Sequence, residues 1–140
     1  MNKIITRTAE ISYTPQTRIL RIKILEGSEI ELADALQNRE ATKLLTKNDR
    51  YLILVDGRVS LSVSREARDF AAQSQNEGAI ASGMIITSTA NKLIGNFYIN
   101  VNKPNIPTRL FSSEEKALEW LSGFLYQTEE TESKLTSFKS

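Results

Sequence analysis

Hydrophobic and polar residues alternate twice near the start of the chain. Over Lys3–Tyr13, Ile5, Ala9, Ile11 and Tyr13 fall mostly on one face. Over Arg18–Leu25, Leu20, Ile22 and Ile24 point one way while Arg21 and Lys23 point the other. Thr14-Pro15-Gln16-Thr17 between them reads as a turn, so the two stretches predict an antiparallel hairpin with one buried face. Glu26-Gly27 breaks the second strand. Ser28 and Glu31 then stand at capping-box spacing and predict a helix to about Leu45 through Leu32, Leu36 and Leu44. The polar middle of that helix, Gln37-Asn38-Arg39-Glu40, predicts that it is well exposed.

The pattern changes at Tyr51–Val55, a continuous apolar run expected of a central strand covered on both faces. A second helix is predicted over Ser64–Gln75, with Ala67, Phe70, Ala71 and Ser74 inside and Gly78 placed to cap its end. Ala79–Thr87 is the next strand. Ser88 or Thr89 caps a third helix, roughly Ala90–Asn100, in which Leu93, Ile94, Phe97, Tyr98 and Val101 have helical spacing. Gly95 lies inside this helix, where close packing against a neighbour would explain it. Ile106–Phe111 is a short last strand, placed at a sheet edge by Pro107, which lacks the donor that a central strand needs. Ser112 and Glu115 open a final helix through Tyr126, with Ala117, Leu118, Trp120, Leu121, Phe124 and Leu125 on its apolar side. The order is ββαβαβαβα: an α/β fold with a mainly parallel sheet entered through an antiparallel hairpin. Residues 1–126 read as a single domain, and 127–140 as a flexible tail of low apolar content.

Composition mainly excludes functions. There is neither His nor Cys. Ser-His-Asp and Cys-His catalysis, thiolate or imidazole metal sites and disulfides are therefore ruled out. No cofactor and no metal are expected, and any enzyme would have to run on carboxylates, Lys, Tyr or Ser-Lys. Eighteen basic residues against seventeen acidic ones give a net charge of +1, which leaves no electrostatic footprint for nucleic acid. The apolar runs are far shorter than the roughly 20 residues a membrane helix needs. The N-terminus has no apolar stretch of the signal-peptide kind, so the expected location is the cytoplasm.

The candidate chemistry clusters after the central strand. Asp56-Gly57 ends it, and Ser64 opens the second helix, so Asp56 and Ser64 are expected near one another at the carboxyl edge of the sheet. Ser64 is an N-cap by residue type. A helix N-terminus also favours an anion, with Arg65 or Arg68 to pair it. Asp56, Gly57 and Ser62 around the loop, with Asn96 and Phe97 on the third helix, are candidate ligand or partner contacts. The third helix carries a dense apolar set that becomes a partner-facing patch if the sheet does not cover it.

Four strings carry a resemblance: YLILVDGR at Tyr51–Arg58, SREAR at Ser64–Arg68, IGNFYINVNKPNIPTRLF at Ile94–Phe111 and EEKALEWL at Glu114–Leu121. With the ββαβαβαβα order, they make the chain similar to the STAS domain (sulfate transporter and anti-sigma factor antagonist). The resemblance is closer still to stand-alone bacterial STAS-like proteins, and it covers most of the chain after Tyr51. It implies a non-enzymatic regulatory or protein-interaction domain that binds a protein partner or itself. In anti-sigma factor antagonists a Ser or Thr at the start of the second helix is phosphorylated, within Asp-Ser-Ser/Thr-Gly directly after the strand. Here Asp56 is in place, the adjacent Ser-Ser/Thr-Gly is absent, and the nearest hydroxyl at a helix start is Ser64. A second reading is a carrier of a small apolar ligand or lipid, by analogy with the pocket of CRAL-TRIO lipid-transfer domains. An enzyme of unknown class is the third.

Overall fold

The first alternating stretch folds as two strands, not one. In the computed structural model, which describes residues 3–73 and 78–125, β1 (Lys3–Ile5) and β2 (Ala9–Thr14) pair antiparallel, with Ile5 opposite Glu10. The chain reverses through Thr6-Arg7-Thr8, where the Thr6 amide donates to the Ala9 carbonyl at 2.8 Å and the Ala9 amide to Thr6 Oγ1 at 3.1 Å. This reversal uses a threonine hydroxyl instead of Gly or Pro, so the alternation runs through it unbroken. β3 (Ile19–Ile24) pairs with β2 as expected, and the Thr17 amide donates to the Thr14 carbonyl across the turn.

Ser28 does not cap a helix. It begins β4 (Ser28–Ile30), and its hydroxyl donates to the carbonyls of Leu25 (2.6 Å) and Thr8 (3.2 Å). Helix α1 (Leu32–Thr46) starts a turn later with Glu31 as N-cap, whose amide donates to Asp34 Oδ2 at 2.9 Å. Three of its four leucines face outward: Leu32, Leu36 and Leu44 are exposed and only Leu45 packs against the core, while Asp34, Ala41 and Thr46 are buried. Polar docking decides this. Asp34 takes both arms of Arg7, at 2.7 and 2.5 Å, and Asn38 accepts from Thr6 Oγ1 (2.6 Å) and donates to Thr8 Oγ1 (3.1 Å).

The rest of the order is β5 (Tyr51–Asp56), β6 (Leu61–Val63), α2 (Arg65–Gln73), β7 (Ala79–Ile85), α3 (Thr89–Phe97), β8 (Thr108–Phe111) and α4 (114–125), which follows the sequence pattern except for β6, a strand where a loop was expected. α3 runs into a π-helical turn over Tyr98–Asn102, which ends at Lys103 in the left-handed region (φ 55°). Ser88 caps α3 by accepting from the Asn91 amide, and Ser113, not Ser112, caps α4 by accepting from the Lys116 amide. The predicted end of the second helix, at 74–75, and the tail 127–140 lie outside the described residues; Gly78, expected to cap that helix, has φ +89°.

The main sheet is ordered β1-β2-β3-β5-β7-β8, parallel from β3 onward, with β8 at an edge as expected, although the strand starts at Thr108 and leaves Pro107 just before it. β4 and β6 form a separate parallel pair. They are too short to be legible as strands in the sequence. From β3 to β8 the sheet grows in one direction. Right-handed crossovers in such a sheet set α1, α2 and α3 on one face, and α4 covers the other. Leu20, Ile53 and Tyr51 lie under the three helices; Leu52, Leu54, Ala81 and Ile85 lie under Ala117 and Leu121 of α4.

Candidate functional site

The helices over the first face present small residues to the sheet. Ala35 of α1, Ala67 and Ala71 of α2, and Gly95 of α3 look onto Ile53, Val55 and Met84. Side chains this short cannot fill the space that a helix–sheet separation leaves. The result is a cavity of about 240 Å³ between the sheet and α1, α2 and α3, walled almost entirely by apolar atoms. Gly95 sets how near α3 comes: a Cβ there would lie 2.9 Å from both Leu110 methyl groups and 3.3 Å from Ile86 Cδ1. The close packing expected at this glycine is therefore present.

The polar residues around the cavity have their hydrogen bonds inside the protein. Asn91 donates to the carbonyls of Gly57 (3.0 Å) and Val59 (2.7 Å), tying α3 to the loop after β5. Thr42 Oγ1 donates to the Asn38 carbonyl at 2.9 Å. Arg68 donates to the Val63 carbonyl (2.6 Å) and to Asn102 Oδ1 (3.3 Å). Tyr98 also lines the cavity and is buried; its hydroxyl has no hydrogen-bond partner among the described residues, and burial pushes its pKa up, so it stays neutral.

The predicted site residues divide between two faces. Gly57 lines the cavity and donates its amide to the Ile85 carbonyl at 2.9 Å. Ser64 caps α2, accepting from the Ala67 amide at 3.2 Å. Arg68 lies over the Phe97 ring at 5.0 Å, and Arg65 is exposed, 3.7 Å from Asp69. Ser62 and Asn96 are exposed, the first on β6 and the second on α3.

Asp56 does not join them. It alternates with Leu52 and Leu54, so it faces α4, whereas Ser64 starts a helix on the opposite face. The expected Asp56–Ser64 cluster is not formed. Asp56 instead accepts both arms of Arg58 at 3.0 and 2.8 Å, and beside it Arg21 donates to Glu114 at 2.6 Å. The Arg58 guanidinium holds Asp56 below the usual carboxylate range, and Arg21 does the same to Glu114. These acids are therefore firmly ionised, the reverse of a raised general acid. Among the described residues no three acidic side chains converge on a metal position, and no described helix is long and apolar enough to cross a membrane.

Sequence reasoning placed the site at the carboxyl edge of the sheet, where open α/β folds bind ligands if the strand order reverses. The parallel part of this sheet does not reverse, so the open space lies beneath the helix layer instead. The available signal was the run of small residues on successive helices. A further surface is present on α3 and its π turn: Leu93, Phe97 and Val101, spaced four apart, are 68%, 47% and 57% exposed.

A solved structure with the same architecture is an uncharacterised protein of the DUF3478 family with a SpoIIAA-like fold, from Shewanella loihica PV-4. It superimposes with a TM-score of 0.57 at 13% identity, covering 81% of this chain and 91% of its own. This likeness establishes the STAS-like fold. A protein of unknown function from Arthrobacter sp. FB24 is 28% identical over 80% of this chain and 97% of its own, with a TM-score of 0.29. No curated protein matches the chain. A family model described as a domain of unknown function, DUF7793, matches residues 13–125.

Proposed function

The chain belongs to the DUF7793 family, and we propose that it is a non-enzymatic binding domain whose ligand is a small molecule held beneath α1, α2 and α3. The cavity carries this reading. Protein interiors pack like organic crystals, with few voids larger than a water molecule. An apolar ligand seated against these walls gains about 25 cal/mol for each Å² of apolar surface it takes out of water. Native mass spectrometry of the purified protein tests the reading. A stoichiometric small-molecule adduct on the 15.7 kDa chain is the expected result. A bare mass, together with no small apolar compound raising Tm, would overturn it.

A second reading is a regulatory protein-interaction domain, in line with the STAS-like resemblance. The observation that favours it is the exposed stripe Leu93-Phe97-Val101. Replacing Leu93 and Val101 by Glu should abolish partner capture while leaving the fold intact; unchanged capture would remove this reading.

A further inference from the structure

The cavity is apolar but not uncharged. Arg39 of α1 and Arg68 of α2 line it, both half-buried, and among the described residues no acidic side chain does. The whole chain carries eighteen basic residues against seventeen acidic ones, so composition does not account for a lining of one sign. We infer that the ligand is an amphipathic acid: an apolar body lying against the sheet, with one carboxylate held by Arg68. This inference rests on the cavity reading above and names its ligand class.

Two observations carry it. The first is the state of Arg68. Its Nη1 donates to the Val63 carbonyl at 2.6 Å and its Nε to Asn102 Oδ1 at 3.3 Å, while Nη2 has no hydrogen-bond partner among the described residues. Asp69, the next residue, does not pair with it. That carboxylate accepts from Asn102 Nδ2 at 2.6 Å and lies 3.7 Å from Arg65. Arg68 is therefore a half-buried cation without an acidic partner among the described residues, and a guanidinium is suited to hold a carboxylate by charge-assisted N–H bonds. The Phe97 ring and the Val63 carbonyl fix the group in place, so little ordering remains when a ligand arrives.

The second observation is the contrast with the remaining walls. Ile53, Val55, Met84 and Ile94 offer side chains with no polar partner, so the body of the ligand is hydrocarbon. An amine of the same shape would instead meet two arginines of like charge. The cavity opens to solvent, so its 240 Å³ does not limit chain length, and a tail can extend past the mouth.

The test is a titration of the full chain at neutral pH, followed through its amide NMR signals, with three probes that share one tail: decanoate, decan-1-ol and decylammonium. Decanoate should shift Gly57, Ala71 and Gly95 saturably. It should bind at least about tenfold more tightly than decan-1-ol, the worth of one hydrogen bond to a charged group. Decylammonium should bind more weakly than the alcohol. Arg68→Gln should bring decanoate down to the affinity of decan-1-ol, and Arg68→Lys, which keeps the charge, should retain part of the preference. If decan-1-ol or decylammonium binds the wild type as tightly as decanoate, the acid class is wrong while the cavity remains a binding site. If the preference for decanoate survives Arg68→Gln, the carboxylate lies elsewhere and the assignment to Arg68 is overturned. If none of the three shifts those amides, both this inference and the cavity reading fall. The wild-type comparison needs no variant, so a substitution that unfolds the chain does not shield the proposal.

Discussion

The guanidinium of Arg68, on α2, lies over the ring of Phe97, on α3, with 5.0 Å between its central carbon and the ring centroid. The same group donates to the Val63 carbonyl and to Asn102, so one side chain joins β6, α2, α3 and the π turn. Arg68→Ala should destabilise the protein by about 2 kcal/mol, the sum of a lost cation–π contact and hydrogen bonds to a buried carbonyl. Arg68→Lys should recover only part of this, because an ammonium cannot stack and fork at once. The shift in urea midpoint measures both.

Gly78→Ala should be more damaging than its size suggests. Gly78 has φ +89°, and a Cβ there would lie 2.6 Å from the Asp49 backbone oxygen. The left-handed conformation alone costs a side chain about 1–2 kcal/mol, and the carbonyl belongs to backbone and cannot swing aside. A loss above about 2 kcal/mol in thermal or chemical unfolding is expected.

Acid and alkali should each remove an identifiable interaction. Arg7 holds Asp34 below the ordinary carboxylate range, as Arg58 holds Asp56 and Arg21 holds Glu114. A depressed folded pKa contributes stability above the unfolded value, near 4, and this is lost as pH falls through the folded values. Stability should therefore decline below about pH 4, and Asp34→Asn should flatten that decline. Tyr13 behaves in the opposite sense. Burial, with a 2.9 Å hydrogen bond to Asp49, pushes its pKa up to about 12 from 10.0. Its contribution is complete below pH 10 and disappears as pH rises through 12. Tyr13→Phe should show a weaker alkaline loss in the same stability–pH curve.

Ser64 separates a cap from a switch. Ser64→Ala should cost about 1 kcal/mol through loss of the bond from the Ala67 amide. Ser64→Asp should stay within about 0.5 kcal/mol of the wild type, because aspartate caps equally well. If Ser64→Asp also leaves captured partners unchanged, phosphorylation at this serine has no role in binding.

The parallel sheet, its edge strand and the helix order were legible because they rest on strong local signals. Tyr51–Val55 is an uninterrupted apolar run, and Pro107 cannot donate into a central strand. The outward turn of Leu32, Leu36 and Leu44 on α1 was not legible, because Asp34 and Asn38 find partners in Arg7, Thr6 and Thr8, some thirty residues away. Asp56 was correctly placed at a strand end, but the face it occupies depends on pairing register, which flips with a single residue. The cavity arises from what is missing: Ala35, Ala67, Ala71 and Gly95 look like ordinary helix positions until three helices are set over one sheet face.

The short β4–β6 pair has a dynamic consequence. It leads directly into α1 and α2, and the Ser64 amide donates to the Ile30 carbonyl at 2.9 Å. Neither helix can lift its first turn without parting these strands. Amide protons over 28–30 and 61–64 should therefore exchange with solvent at a common free energy, as one cooperative unit. The starts of α1 and α2 are riveted together, so their first turns open as one unit or not at all.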